Sequence, residues 1–213
     1  CHLLRGETGQ AQRYVDDALQ AFPKNQDLHF TKGRICLKKG DSSNAVSEFR
    51  TLVGENPHFI PGYLALADAH ILNRDLDLAV KALREPLKNA PGSMDLLQAL
   101  ARVYVMKKDP DSARSTLRKA LEYHPDHYRI HADIGDLFLA QKNFPKAEQE
   151  YRMILSRHPD KELGYVKLAQ CAMAQGKPGQ GTLMLEEGYR NIPQSVQLLD
   201  LLVQIGQSVV DVH

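Results

Sequence analysis

Three histidines crowd one short stretch: His124, His127 and His131, the last two four residues apart. Two histidines at that spacing on one helix can hold zinc when further ligands join them. Here His127 precedes the segment expected to be helical around His131, and no acidic residue or cysteine completes an evident set. His158 repeats the place of His124 a fixed interval later, which suits a turn. These histidines therefore read as surface or seam residues, and no metal or other cofactor is expected. No glycine-rich phosphate loop, closely spaced cysteine pair or nucleophile elbow occurs, so the chain reads as not an enzyme. Cys36 and Cys171 are too far apart in the organisation described below for one disulfide, and Cys1 is expected to fall within a helix.

The organisation that places these residues shows in the prolines. Pro23, Pro57, Pro91, Pro125, Pro159 and Pro193 follow one another at intervals of 34 residues. A fixed period of this length is the mark of a repeat array. With each unit ending shortly after such a proline, units begin at Gln26, Ile60, Met94, Tyr128 and Glu162. Their eighth residue is Gly33, Ala67, Ala101, Gly135 or Ala169, and their twentieth is Ala45, Ala79, Ala113, Ala147 or Gly181. Antiparallel helices approach closely only where facing side chains are small. The twenty-fourth residue is Phe49, Leu83, Leu117, Tyr151 or Leu185, and apolar residues recur every three to four positions, as one face of a helix requires. Polar or breaking residues separate the two helices of each unit, with Asp41, Asp75, Asp109 and Asn143 placed to cap the second. Pro86 stands inside a second helix, where a kink is expected. Gly179, Gly181 and Gly188 should loosen the last second helix.

This pattern resembles the tetratricopeptide repeat over essentially the whole chain. The resemblance implies an all-α, right-handed superhelical solenoid of antiparallel helix hairpins, with about five full units. The expected organisation is one domain over 1–213: a partial unit 1–25, units 26–59, 60–93, 94–127, 128–161 and 162–195, and a terminal helix 196–213. Leu3 and Leu4 would end a first helix. The chain is expected to be a piece of a longer protein.

The resemblance also implies a concave groove lined by positions two, five, nine, twelve and thirteen of the first helices. Position five carries Phe30, Leu64, Gln98, Ala132 and Val166; position nine carries Arg34, Asp68, Arg102, Asp136 and Gln170. Opposite charges in neighbouring units read first as a ladder of ion pairs and second as a groove for a partner of mixed charge. The candidate groove residues are thus Phe30, Arg34, Leu64, Asp68, Gln98, Arg102, Asp136, Val166 and Gln170. The residues that clamp a chaperone's carboxylate tail in some members are not matched.

The expected function is a scaffold that binds a peptide or protein segment in this groove. Alternatives are an assembly segment of a bacterial secretion, pilus or exopolysaccharide-export machine, and the regulatory arm of an enzyme. A net charge of +1 argues against a nucleic-acid partner, and no apolar run is long enough to enter a membrane. A soluble protein of the cytoplasm or bacterial periplasm is expected. Self-association through the terminal repeats is a further expectation.

Overall fold

The computed structural model describes residues 8–210; Cys1, Leu3 and Leu4 lie outside the described residues. Twelve α-helices and one 3-10 turn make up the described chain, with no strand. They are α1 (Thr8–Ala21), α2 (Gln26–Lys39), α3 (Ser42–Glu55), α4 (Ile60–Leu72), α5 (Leu76–Arg84), the 3-10 turn Pro86–Lys88, α6 (Met94–Met106), α7 (Pro110–Tyr123), α8 (Tyr128–Ala140), α9 (Phe144–Arg157), α10 (Glu162–Ala174), α11 (Pro178–Asn191) and α12 (Val196–Val210). The even-numbered helices start 34 residues apart. Two compact units form, Cys1–Ala120 and Leu121–His213. In the first, α2 packs on α1, α3 and α4, and α5 on α4 and α6; in the second, α10 packs on α8, α9, α11 and α12.

One turn geometry joins the two helices of every hairpin. Its fifteenth residue is left-handed each time, with φ of 78° at Gly40, 60° at Arg74, 59° at Lys108, 55° at Lys142 and 75° at Gly176. The next residue's N–H returns to the carbonyl of position eleven: Asp41 to Cys36, Asp75 to His70, Asp109 to Tyr104, Asn143 to Phe138 and Lys177 to Ala172. This closes the first helix in the manner of a Schellman motif. The same residue then caps the second helix. Asp41, Asp75, Asp109 and Asn143 each accept from the backbone N–H three residues on, at 3.2, 3.1, 3.0 and 3.4 Å. Lys177 makes no such bond.

Inside the hairpins the eighth and twenty-fourth positions fit as complements. Gly33 lies under the Phe49 ring and Gly135 under the Tyr151 ring; a Cβ there would stand 2.4 and 2.3 Å from ring carbons. Where position eight is Ala67, Ala101 or Ala169, position twenty-four is the smaller Leu83, Leu117 or Leu185. Each pairing fills the seam, and all five position-24 side chains are buried.

One expectation about the second helices changes. Pro86 does not kink its helix; it ends it. α5 stops at Arg84 after nine residues, whereas α3, α9 and α11 each run for 14. Proline has no N–H to donate and its ring collides with the preceding turn. The last second helix, by contrast, is continuous despite its glycines, and Gly188 lies directly against the Tyr165 ring.

Gly33→Ala should cost about 1–3 kcal/mol by overpacking, which outweighs the gain of up to about 1 kcal/mol in helix propensity. Adding Phe49→Leu should restore at least half of the loss in urea unfolding. A Gly33→Ala variant as stable as the parent would show that the ring does not require the glycine.

Candidate functional site

The candidate groove residues sit on first helices, and their surroundings differ. On α2, Phe30 is half-buried, its ring edge-on to Phe59 at 5.6 Å and tilted against Phe49 at 5.9 Å. Arg34, one turn further on, is exposed. On α4, Leu64 is half-buried and Asp68 projects to solvent; on α6, Gln98 is half-buried and Arg102 exposed. Arg102 donates to Asp68 at 3.2 Å, one rung of the position-nine ladder. Both groups are more than half exposed, so the pair is worth about 0–1 kcal/mol. Burial nevertheless raises the Asp68 carboxyl above the usual range, an effect that Arg102 opposes. Arg34 has no ion pair among the described residues.

In the second compact unit, Asp136 is held differently. Its carboxylate accepts from Lys167 Nζ at 2.7 and 2.9 Å and from the Tyr151 hydroxyl at 2.7 Å. Lys167 occupies position six of the next unit, so the ion pair runs obliquely from ninth to sixth position. Burial, reinforced by this hydrogen bond to Asp136, pushes the Tyr151 hydroxyl far above its ordinary pKa. The bond ties the core ring to the surface carboxylate. Asp136, Arg129, Asp133, Lys161 and Lys167 line a cleft of about 520 Å³ between α8, α10 and the start of α12. Burial and then the neighbouring Asp136 charge raise the pKa of Asp133.

Val166 is buried in a cluster with Tyr165, Ala169, Leu185, Ile192 and Leu198. Gln170 is exposed beside it, and both line a smaller apolar depression of about 290 Å³ with Met173, Leu201 and Ile205. Arg129, Asp133 and Lys167 were not among the sequence candidates. Arg129 occupies position two, already attributed to the concave side; Asp133 and Lys167 share position six, and no residue type at that position announced them.

The histidines take up seam and turn roles. His131 Nδ1 bonds Glu150 at 2.9 Å, and His158 Nε2 meets the Asp126 carbonyl at 3.1 Å. His29 Nδ1 repeats the first contact with Glu48 at 2.6 Å, while its Nε2 meets the Pro23 carbonyl at 2.9 Å. Lys32 joins this seam by bridging Asp16 and Glu48 at 3.1 Å each. Among the described residues no group of three His, Cys, Asp or Glu side chains could hold a metal ion. No helix there is long and apolar enough to cross a membrane. Burial raises both the Cys36 and the Cys171 thiols, which keeps them protonated.

One tetratricopeptide repeat family model matches residues 104–167 and a second matches residues 3–58. No curated protein sequence matches the chain. Among solved structures, the chain is similar to pilF of Pseudomonas aeruginosa, with 16% identity, TM-score 0.63, and coverage of 95% of this chain and 92% of that one. It is also similar to TTC0263, a thermophilic TPR protein of Thermus thermophilus, at 22% identity, TM-score 0.56, and coverage of 80% and 93%. MamA from Desulfovibrio magneticus gives 16% identity, TM-score 0.60, and coverage of 76% and 91%. At these identities the likeness is one of fold. The chain is a tetratricopeptide repeat protein. Repeats of this family mediate protein–protein interactions and typically act as non-catalytic scaffolds, and in that general sense the chain is an interaction scaffold.

Two histidines, His29 partly exposed and His70 buried, have opposite linkage to pH. Burial works against the charged His29 ring, but Glu48 and the Pro23 carbonyl outweigh it and raise the pKa. That contribution is full below the unfolded value of about 6.5 and fades as pH rises through the folded value. His70 is 4% exposed, and burial, then Arg50, lower its pKa against the pull of Asp75. Its contribution is full above about 6.5 and lost as pH falls through the folded value. Phe138 fills the equivalent place in another hairpin. His70→Phe should therefore lose less thermal stability than the parent between about pH 7 and pH 5; an identical decline in both proteins would contradict the assignment.

Proposed function

We propose that the exposed face of the first helices is the partner-binding surface, and that it takes a protein segment carrying both charges. The observation that carries this reading is the cleft between α8, α10 and α12, lined by the cations Arg129 and Lys161 together with the carboxylate of Asp133. The Asp136–Lys167 pair forms a fixed wall beside it. Such an arrangement can hold a basic and an acidic side chain of an extended segment at set separations, in the manner of a preformed site. Arg34, Asp68 and Arg102 supply exposed charges on the first helices of the other compact unit. The units 26–59, 60–93, 94–127, 128–161 and 162–195 act in this reading as one scaffold, with no catalytic role. Val166 contributes to packing more than to contact, since it is buried among Tyr165, Leu185 and Leu198.

A second reading concerns self-association. The outward face of α12 exposes Val196, Leu199 and Val203, at 70%, 43% and 48%, a stripe at helical spacing. In this reading a second copy covers that stripe, and the weight-average mass in sedimentation rises with concentration. A constant monomer mass would count against it.

The groove is tested by reversing Arg129→Glu and Asp133→Lys together and comparing affinity capture by the full chain. Partners retained by the parent should be reduced about tenfold or more, as expected for loss of facing charges, while the helical circular dichroism stays unchanged. Equal recovery by the variant would remove this cleft as the site.

A further inference from the structure

The break at Pro86 borders a second cleft in the first compact unit, lined by none of the first-helix charges just described. It measures about 420 Å³, within the range of about 300–1,000 Å³ typical of ligand-holding clefts. Leu87, Leu97, Leu100 and Tyr104 form its floor, and all four are buried to at least nine-tenths. Its rim carries Arg84, Lys88 and Lys119, with the Ser115 and Thr116 side chains between them, and no carboxylate lines it.

Two differences from the other hairpins account for this cleft. In units 26–59 and 128–161, positions four and twenty-three hold the hydrogen-bonded pairs His29–Glu48 and His131–Glu150, which occupy the seam there. In unit 94–127 the same positions are Leu97 and Thr116, which form no pair. The preceding second helix, α5, also stops early, and the 3-10 turn sets Leu87 against α6 in place of a further α-helical turn. Lys88 is engaged by Glu85 at 2.7 Å. Arg84 and Lys119 are exposed and have no ion-pair partner among the described residues. Two uncommitted cations above an apolar, partly aromatic floor complement one kind of occupant: a carboxylate-bearing chain with a large apolar side chain next to it.

We infer that this cleft docks an acidic protein segment, with Asp or Glu side chains at Arg84 and Lys119 and an adjacent Leu, Met or Phe on the floor. The site is separate from the first-helix cleft and does not depend on it.

The two are kept apart by working on a background that disables the other cleft. Random dodecapeptides displayed on phage are selected on the full-length Arg129→Glu/Asp133→Lys chain. Fluorescein-labelled copies of the selected peptides are then measured by anisotropy on that protein, with and without Arg84→Glu/Lys119→Glu. Both substituted side chains are exposed, so helicity should be unchanged. The expected result is enrichment of Asp and Glu beside Leu, Met or Phe, with affinity falling about tenfold or more on reversal and falling also as salt rises. Selection of peptides without acidic residues, or equal affinity for the reversed variant, would overturn the proposal. So would capture of phosphatidylserine vesicles with no acidic peptide selected, which would assign the cations to a lipid surface.

Discussion

A helix can lie against its hairpin partner across an aromatic ring only if nothing projects from the backbone beneath that ring. Gly33 under Phe49 and Gly135 under Tyr151 meet this condition with no Cβ to spare. Ala67, Ala101 and Ala169 meet it by facing leucine instead. The sum of the two side chains is held near one volume, as close-packed interiors require, and the distance between the two helices of each hairpin follows. The first helix can then expose its polar positions while its apolar ones stay covered. Rigidity of the exposed surface thus depends on a contact beneath it, and the Tyr151 hydroxyl makes the link explicit by bonding Asp136.

The same two hairpins that use glycine also carry the His–Glu pair across positions four and twenty-three. Units 26–59 and 128–161 therefore form one type, with His, Gly, Glu and an aromatic ring at four fixed places. The other units replace all four together. A seam containing a part-buried His–Glu hydrogen bond is sensitive to any mismatch, because removing one member leaves the other's polar group without its partner. That makes joint replacement the stable alternative. In unit 94–127, where Leu97 and Thr116 replace the pair and Pro86 ends the preceding second helix, the seam opens into the basic-rimmed cleft.

Much of this architecture could be read from residue types. The prolines at 34-residue intervals mark the approach to each first helix, and α2, α4, α6, α8, α10 and α12 start where the small and apolar residues place them. The capping roles of Asp41, Asp75, Asp109 and Asn143 are local, and they were legible for that reason. The left-handed turn residue was not, since Arg74, Lys108 and Lys142 lack the glycine that normally signals it. Contacts between helices were harder. Asp136 was expected to face position-nine neighbours, yet its partner Lys167 comes from position six, 31 residues on. Val166 looked like a groove residue by its position and lies in the core because α12 packs over α10. Pro86 was recognised as a disruption, but whether a helix bends or ends there depends on what the next helix offers it.

The exposed charges of the first helices are among the groups left free by packing, and binding through that face is the central proposal. It is tested most directly by placing a photo-crosslinking amino acid at Asp133, on the first-helix cleft, and separately at Glu187, on the exposed side of α11. Illumination in the cells of origin should join the Asp133-substituted chain to a discrete protein partner and leave the Glu187-substituted chain without that adduct. Adducts formed from Glu187 with none from Asp133 would contradict the account.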